Sequence, residues 1–166
     1  SVEKLAKRYC ETLLSVDDSV GRILQTLRAL GLDESTMLMY MGDNGYYVGE
    51  HGLIDKRSAY EESIRVPLLV RCPEIIDPKT RIPQLVQNID IAPTLLDMAR
   101  STKPETMDGV SFAPLLLKKQ VSWRDTIFYE YFWEWNYPHT PTTFAVRTER
   151  YKYIFYHGIW DTDELY

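Results

Sequence analysis

The chain has 166 residues, of which 45% are apolar and 26% charged, the balance of an ordinary globular domain large enough to bury a core. Its formal net charge of −5 argues against a broad phosphate-binding surface, and so against nucleic acid as a partner, while leaving room for a small cationic pocket. No apolar run is long enough to span a membrane.

Residues 2–30 place Leu5, Tyr9, Leu13, Val16, Val20, Leu24, Leu27 and Leu30 at helical spacing. This predicts an amphipathic helix whose stripe faces a core, with Gly31 as its C-cap and Asp17 and Asp18 on the solvated side. The run after it, STMLMYMGDNG, is apolar from residue 37 to 41, which suits a strand covered on both faces, as in a parallel sheet. A second such run, VPLLVR at residues 66–71, follows the helical-looking SAYEESI. Helix, strand, short helix, strand is the order of an α/β layer sheet.

Pro-containing loops lead to DIAPTLLDMAR, a helix with Asp90 as N-cap, Pro93 in its first turn, and Leu95, Leu96 and Met98 turned inward. Residues 101–111 read as a polar loop and FAPLLL as a short helix. Beyond Trp123 the composition shifts: TIFYEYFWEW, TTFAVRT and YKYIFY are aromatic and β-branched, the pattern of an antiparallel sheet. The boundary is expected near residue 122, dividing a region 1–122 from a smaller one at 123–166. From the opening SVEKLAKRY and the final DELY, an excerpt from a longer protein is expected.

Cys10 and Cys72 have neither metal-type nor redox-type spacing, so both are expected to pack as small apolar residues, with a pairing between them left open. The chemistry concentrates in GDNGYYVGEHGLIDKRSAYEE, residues 42–62. Asp43 and Asn44 lie just past a strand's carboxyl end, where open α/β sheets collect ligands. Their oxygens are the hard donors that Ca²⁺ or Mg²⁺ prefers, although Asn-Gly is equally an ordinary turn signal. His51 stands between glycines and could donate to an anion or cap a turn. Zinc is disfavoured, because the three His are unpaired and lack a Cys partner. Lys56, twelve positions after Asn44, could offset charge on an anionic substrate. Arg57 and Arg65 read as solvated surface cations, and Glu61 and Glu62 as one solvated helix face. Tyr129, Tyr131, Phe132, Trp133 and Trp135 read mainly as sheet packing, with one face available to stack on sugar rings.

The ordered series DNG, GEHG, Lys56, YEESIRVPLLVR, NIDIAPTLLD, MDG, RYKYIFY and ELY resembles the sulfatases of the alkaline phosphatase superfamily over nearly the whole chain. The segment from EYFWEW to DELY looks most like bacterial sulfatases acting on sulfated glycans, notably the N-acetylglucosamine 6-sulfatase type. The resemblance implies an α/β fold: part of an alkaline-phosphatase-like layered sheet with flanking helices, then a small antiparallel subdomain. It implies that Asp43 and Asn44 are two ligands of a divalent cation, usually calcium, and that Lys56 contacts the sulfate or its bridging oxygen. It places His51 where some members reach the substrate, and makes His139 and Trp135 candidates for sugar contact.

The family's nucleophile is a formylglycine made within a Cys/Ser-x-Pro-Ser-Arg motif. Neither RYCETL nor RCPEI fits, so the nucleophile and the remaining ligands are expected upstream, in the rest of the catalytic domain, and the isolated segment is expected to be inactive. The implied partner is a sulfated carbohydrate, and the implied location is the periplasm or cell exterior. Two further readings stay open: a phosphate or phosphonate ester hydrolase of the same superfamily, and a non-catalytic glycan-binding relative.

Overall fold

The first helix, α1 (Val2–Ala29), is closed at both ends by its own sequence in the computed structural model, which describes residues 1–166. The Ser1 side chain accepts from the Lys4 N–H, while Glu3 in the first turn and Arg28 in the last complement the helix dipole. At the other end Gly31 takes φ +66°, its N–H donating to Arg28 and that of Leu32 to Leu27. This is a Schellman stop, so Gly31 ends the helix as its position suggested. The apolar stripe fares differently. Leu5, Val16, Val20, Leu24 and Leu27 are half-buried, but Tyr9, Leu13 and Leu30 are exposed, and no residue of α1 is fully buried. Periodicity establishes that a face is apolar; it does not supply the surface that covers it. Cys10, expected to pack, is also exposed.

The chain divides into two compact units, Ser1–Lys56 with Tyr60–Pro78, and Arg57–Ala59 with Lys79–Tyr166. In the first, β1 (Leu38–Met41) leads through the paired β2 (Tyr47–Val48) and β3 (Ile54–Asp55) and one helical turn, α2 (Glu61–Ile64), to β4 (Leu68–Arg71). β1 and β4 pair antiparallel, Leu38 opposite Arg71 and Met41 opposite Leu68. The expectation of parallel strands covered on both faces is therefore corrected for this pair. A continuous apolar run reports burial, not direction, and the link here holds only one helical turn instead of a crossover helix. Leu69, on β4, is 65% exposed. Cys72, just past β4, is buried and unbonded, and burial, then the nearby Glu74 charge, pushes its thiol pKa up.

The second unit is organised around a buried carboxylate. Asp90 precedes α3 (Ile91–Met98), but its side chain does not cap that helix. Its backbone is already helical, and its carboxylate accepts instead from the N–H groups of Gln87 and Val110, each at 2.8 Å, and from both terminal nitrogens of Arg124. Thr94 continues the chain of bonds, donating to the Asp90 carbonyl and accepting from the Phe112 N–H. Pro93 and Thr94 are buried and Leu96 and Met98 partly so, whereas Leu95, expected inward, is exposed. A Cβ at Gly109 would lie 1.9 Å from the Ile89 carbonyl oxygen, which explains the glycine of MDG. Phe112 and α4 (Ala113–Leu116) add the apolar core.

After Trp123 the aromatic runs form an antiparallel sheet, as their pattern suggested: β5 (Thr126–Tyr131), β6 (Thr143–Thr148), β7 (Lys152–Tyr156) and the short β8 (Glu164–Leu165), in that order. Alternation buries Thr143, Ala145 and Ile154 on one face and leaves Phe128, Tyr153 and Phe155 on the open one. The shift of composition at residue 122 falls inside this second unit.

Candidate active site

β1 delivers the chain to Gly42, whose N–H donates to the Pro67 carbonyl and extends the ladder with β4 by one rung. The next two residues are Asp43 and Asn44. Asp43 Oδ1 accepts from the Asn44 N–H at 2.8 Å, and Asn44 Nδ2 donates to the Gly45 carbonyl at 2.9 Å. The Asn-Gly pair does not form the left-handed hairpin turn that the dipeptide often signals, because Gly45 is not among the residues with positive φ. Its glycine is required by close approach. The Gly45 N–H donates to the Ser63 carbonyl at 2.7 Å, and a Cβ at this position would sit 1.9 Å from the Glu62 carbonyl oxygen. The segment carrying Asp43 and Asn44 is thus laid directly against α2.

Lys56 reaches the same place from β3. Its Nζ donates to Asn44 Oδ1 at 2.8 Å, and its own carbonyl accepts from the buried Ser63 hydroxyl. The residue before it, Asp55, is held at φ 136°, a conformation normally left to glycine. Such strain costs on the order of 1–3 kcal/mol and clusters at functional positions. Asp43, Asn44 and Lys56, singled out separately in the sequence, are therefore gathered in one hydrogen-bonded group.

His51 takes φ 54° between Gly49 and Gly52, both also at positive φ. Its ring stacks on Tyr60 at 4.1 Å between centroids and meets the edge of the buried Tyr47. Its Nε2 lies 3.2 Å from Glu62 Oε2. The ring is thereby fixed in orientation while about 38% of the side chain stays exposed. Nearby, the Glu50 carboxyl is held below its usual range by its own backbone N–H and that of Val48.

Glu62, Tyr60 and Ser63 were not distinguished by the sequence reading, which made the acidic pair a solvated face. A helix of one turn has too few residues to define faces, so the amphipathic argument did not apply to it. Arg57 also differs from its surface reading. Its side chain is 16% exposed and pairs with Glu134. Arg65 is exposed as expected. Trp135 and His139 lie in the second unit, both exposed on the loop after β5.

Asp43 and Asn44 fit a hard cation in kind, a carboxylate and an amide oxygen side by side, with the Asn44 oxygen already facing the positive Lys56 ammonium. They do not fit it in number. Ca²⁺ takes about six to eight oxygens, and no cluster of three or more His, Cys, Asp or Glu occurs in the chain. A calcium ion held here would need further oxygen donors from outside this pair.

The chain matches the family model described as N-sulphoglucosamine sulphohydrolase, C-terminal, over residues 49–166. It is 34% identical to the N-acetylglucosamine-6-O-sulfatase of Bacteroides thetaiotaomicron over 99% of its own length and 30% of that protein. It is 44% identical to the human N-acetylglucosamine-6-sulfatase over 75% of its length and 23% of that protein. An extracellular sulfatase homologue of Drosophila melanogaster is 41% identical over 73% of the chain and 11% of that protein. The chain therefore spans less than a third of these relatives.

Among solved structures, one of a protein in complex with its substrate D-glucosamine-2-N,6-O-disulfate superposes with a TM-score of 0.84 and 35% identity, over 93% of this chain and 32% of that one. The phosphonate monoester hydrolase of Agrobacterium radiobacter superposes with a TM-score of 0.79 and 26% identity, over 91% of this chain and 32% of that one. With the family model covering everything from the GEHG loop to the last strand, the chain belongs to the sulfatase family.

Proposed function

We propose that this chain is the later part of a sulfatase catalytic domain, and that the full-length protein removes sulfate from sulfated amino sugars. The observation that carries this reading is the direct contact of Lys56 with Asn44 beside Asp43, at the end of a strand, in a chain of the sulfatase family. In this reading β1 and β4 belong to a larger alkaline-phosphatase-like layered sheet, and the β5–β8 sheet is its C-terminal subdomain.

Asp43 and Asn44 would hold a divalent cation, calcium by preference, together with ligands from an upstream segment. When bound, that ion supplies Lewis-acid polarisation of a sulfate oxygen. The chain's own residues supply charge, orientation and sugar contact. Lys56 places a positive charge at the sulfate and offsets charge developing on the bridging oxygen. His51, oriented by Glu62 and stacked on Tyr60, presents its ring toward the departing sugar oxygen, where a proton can be held or passed. Trp135 and His139 contact the sugar.

The formylglycine nucleophile would be made upstream, so the 166-residue segment alone would be inactive. The relative named as extracellular supports placement in the periplasm or outside the cell. The sugar class is supported by the relatives named for N-acetylglucosamine 6-sulfate and by the disulfated glucosamine held by the similar structure.

Superposition on a phosphonate monoester hydrolase favours a second reading, an enzyme of the same architecture acting on phosphonate esters. One comparison separates the two. The full-length protein is expected to release sulfate from N-acetylglucosamine 6-sulfate with a kcat/KM at least about a hundredfold above that for a phenyl phosphonate ester. The reverse preference would make the phosphonate reading correct.

A further inference from the structure

The loop after β5 carries a dense group of exposed rings. Phe132, Trp133, Trp135 and Tyr137 are 62%, 47%, 83% and 40% exposed. A loop with so much apolar surface turned outward has little core of its own, so its shape has to be set by directed contacts. Some are internal. The Trp133 N–H donates to the Thr142 hydroxyl at 2.9 Å, its indole N–H to the Pro138 carbonyl at 3.3 Å, and the Tyr137 N–H to the Glu134 carbonyl at 2.9 Å.

One contact comes from a distant part of the sequence. The guanidinium carbon of Arg57 lies 3.2 Å from the centre of the Tyr137 ring, and its Nε lies 3.5 Å from Glu134 Oε1. A planar guanidinium stacks flat on an aromatic face while its fork of N–H donors stays open to a carboxylate, a geometry that a compact ammonium does not reproduce. Arg57 follows Lys56 directly in the chain.

We propose that Arg57 is a positioning residue for substrate recognition, clamping the 132–142 loop through Glu134 and Tyr137 so that Trp135 and His139 are held against the sugar. It sets the affinity for the glycan and not the rate at which sulfate is cleaved. This rests on the reading that the loop contacts the sugar, and the test separates the two.

In the full-length protein, Arg57→Met is expected to raise KM for N-acetylglucosamine 6-sulfate about tenfold with kcat changed less than about twofold, and to leave para-nitrophenyl sulfate, which has no sugar, unaffected. Arg57→Lys, which keeps the charge but loses the planar stack, is expected to fall between. Glu134→Gln, a change on the exposed partner, is expected to raise KM in the same direction and serves if Arg57→Met does not fold. Hydrogen exchange across residues 132–142 is expected to speed up in Arg57→Met. Equal loss on both substrates, no loss on either, or unchanged exchange in the loop would overturn the proposal. Faster exchange and weaker sugar binding, read by tryptophan fluorescence, in a protein that cleaves neither substrate would uphold the clamp and count against the catalytic reading.

Discussion

Lys56→Ala in the full-length protein is expected to lower kcat for sulfate release by about 10²–10³-fold, the cost of removing one preorganised charge from a developing anion. Several features fix this ammonium in place. Its Nζ is bonded to Asn44 Oδ1 at 2.8 Å, its carbonyl is held by Ser63, and the residue before it, Asp55, is held at φ 136°. A group held this way needs little reorganisation when charge appears in front of it. KM is expected to move much less than kcat, because the interaction strengthens in the transition state. Lys56→Arg is not expected to rescue, since a planar five-donor fork does not occupy the place of a compact ammonium. Parallel kcat measurements on the three proteins check this, and a loss below about threefold for Lys56→Ala would remove Lys56 from the chemistry.

Asp90→Ala is expected to cost about 3–5 kcal/mol of stability, the range for breaking a buried, hydrogen-bonded ion pair from one side. The carboxylate is fully buried and serves three partners, so its loss strands the Arg124 guanidinium and the N–H groups of Gln87 and Val110 together. It also unhooks three separate parts of the second unit: the turn before α3, the MDG loop and the approach to β5. Urea unfolding of the full-length protein gives the magnitude, and amide exchange at Val110 locates it. Asp90→Ala with Arg124→Met is expected to recover part of the loss, because the second change removes the unpaired charge. A loss below about 1 kcal/mol would mean that water replaces the carboxylate without difficulty.

The candidate site was only partly legible from its residues. Asp43 and Asn44 at a strand end read equally as an ordinary turn, and Lys56 as a surface cation; the ordered resemblance to the sulfatases, not type or spacing alone, made them candidates, and the structure brings the three together. The antiparallel sheet after Trp123 was legible from its aromatic and β-branched composition, and the end of α1 from Gly31. What stayed hidden depended on partners far apart in sequence. Nothing in KRS marks Arg57 as stacked on Tyr137, and nothing in NIDIAP shows that Asp90 turns away from its helix to meet Arg124. The direction of β4 relative to β1 was misread because an apolar run is the same forwards and backwards. Glu62 was missed because a single helical turn carries no periodicity.

The most direct measurement is a calorimetric titration of calcium into the metal-stripped full-length protein, comparing the wild type with Asp43→Ala. If Asp43 and Asn44 are ligands of the sulfate-binding cation, the variant binds calcium about a hundredfold more weakly or not at all, with its fold intact. Equal affinity in the two proteins would contradict the assignment and reduce the Asp-Asn-Gly segment to a close-packed turn.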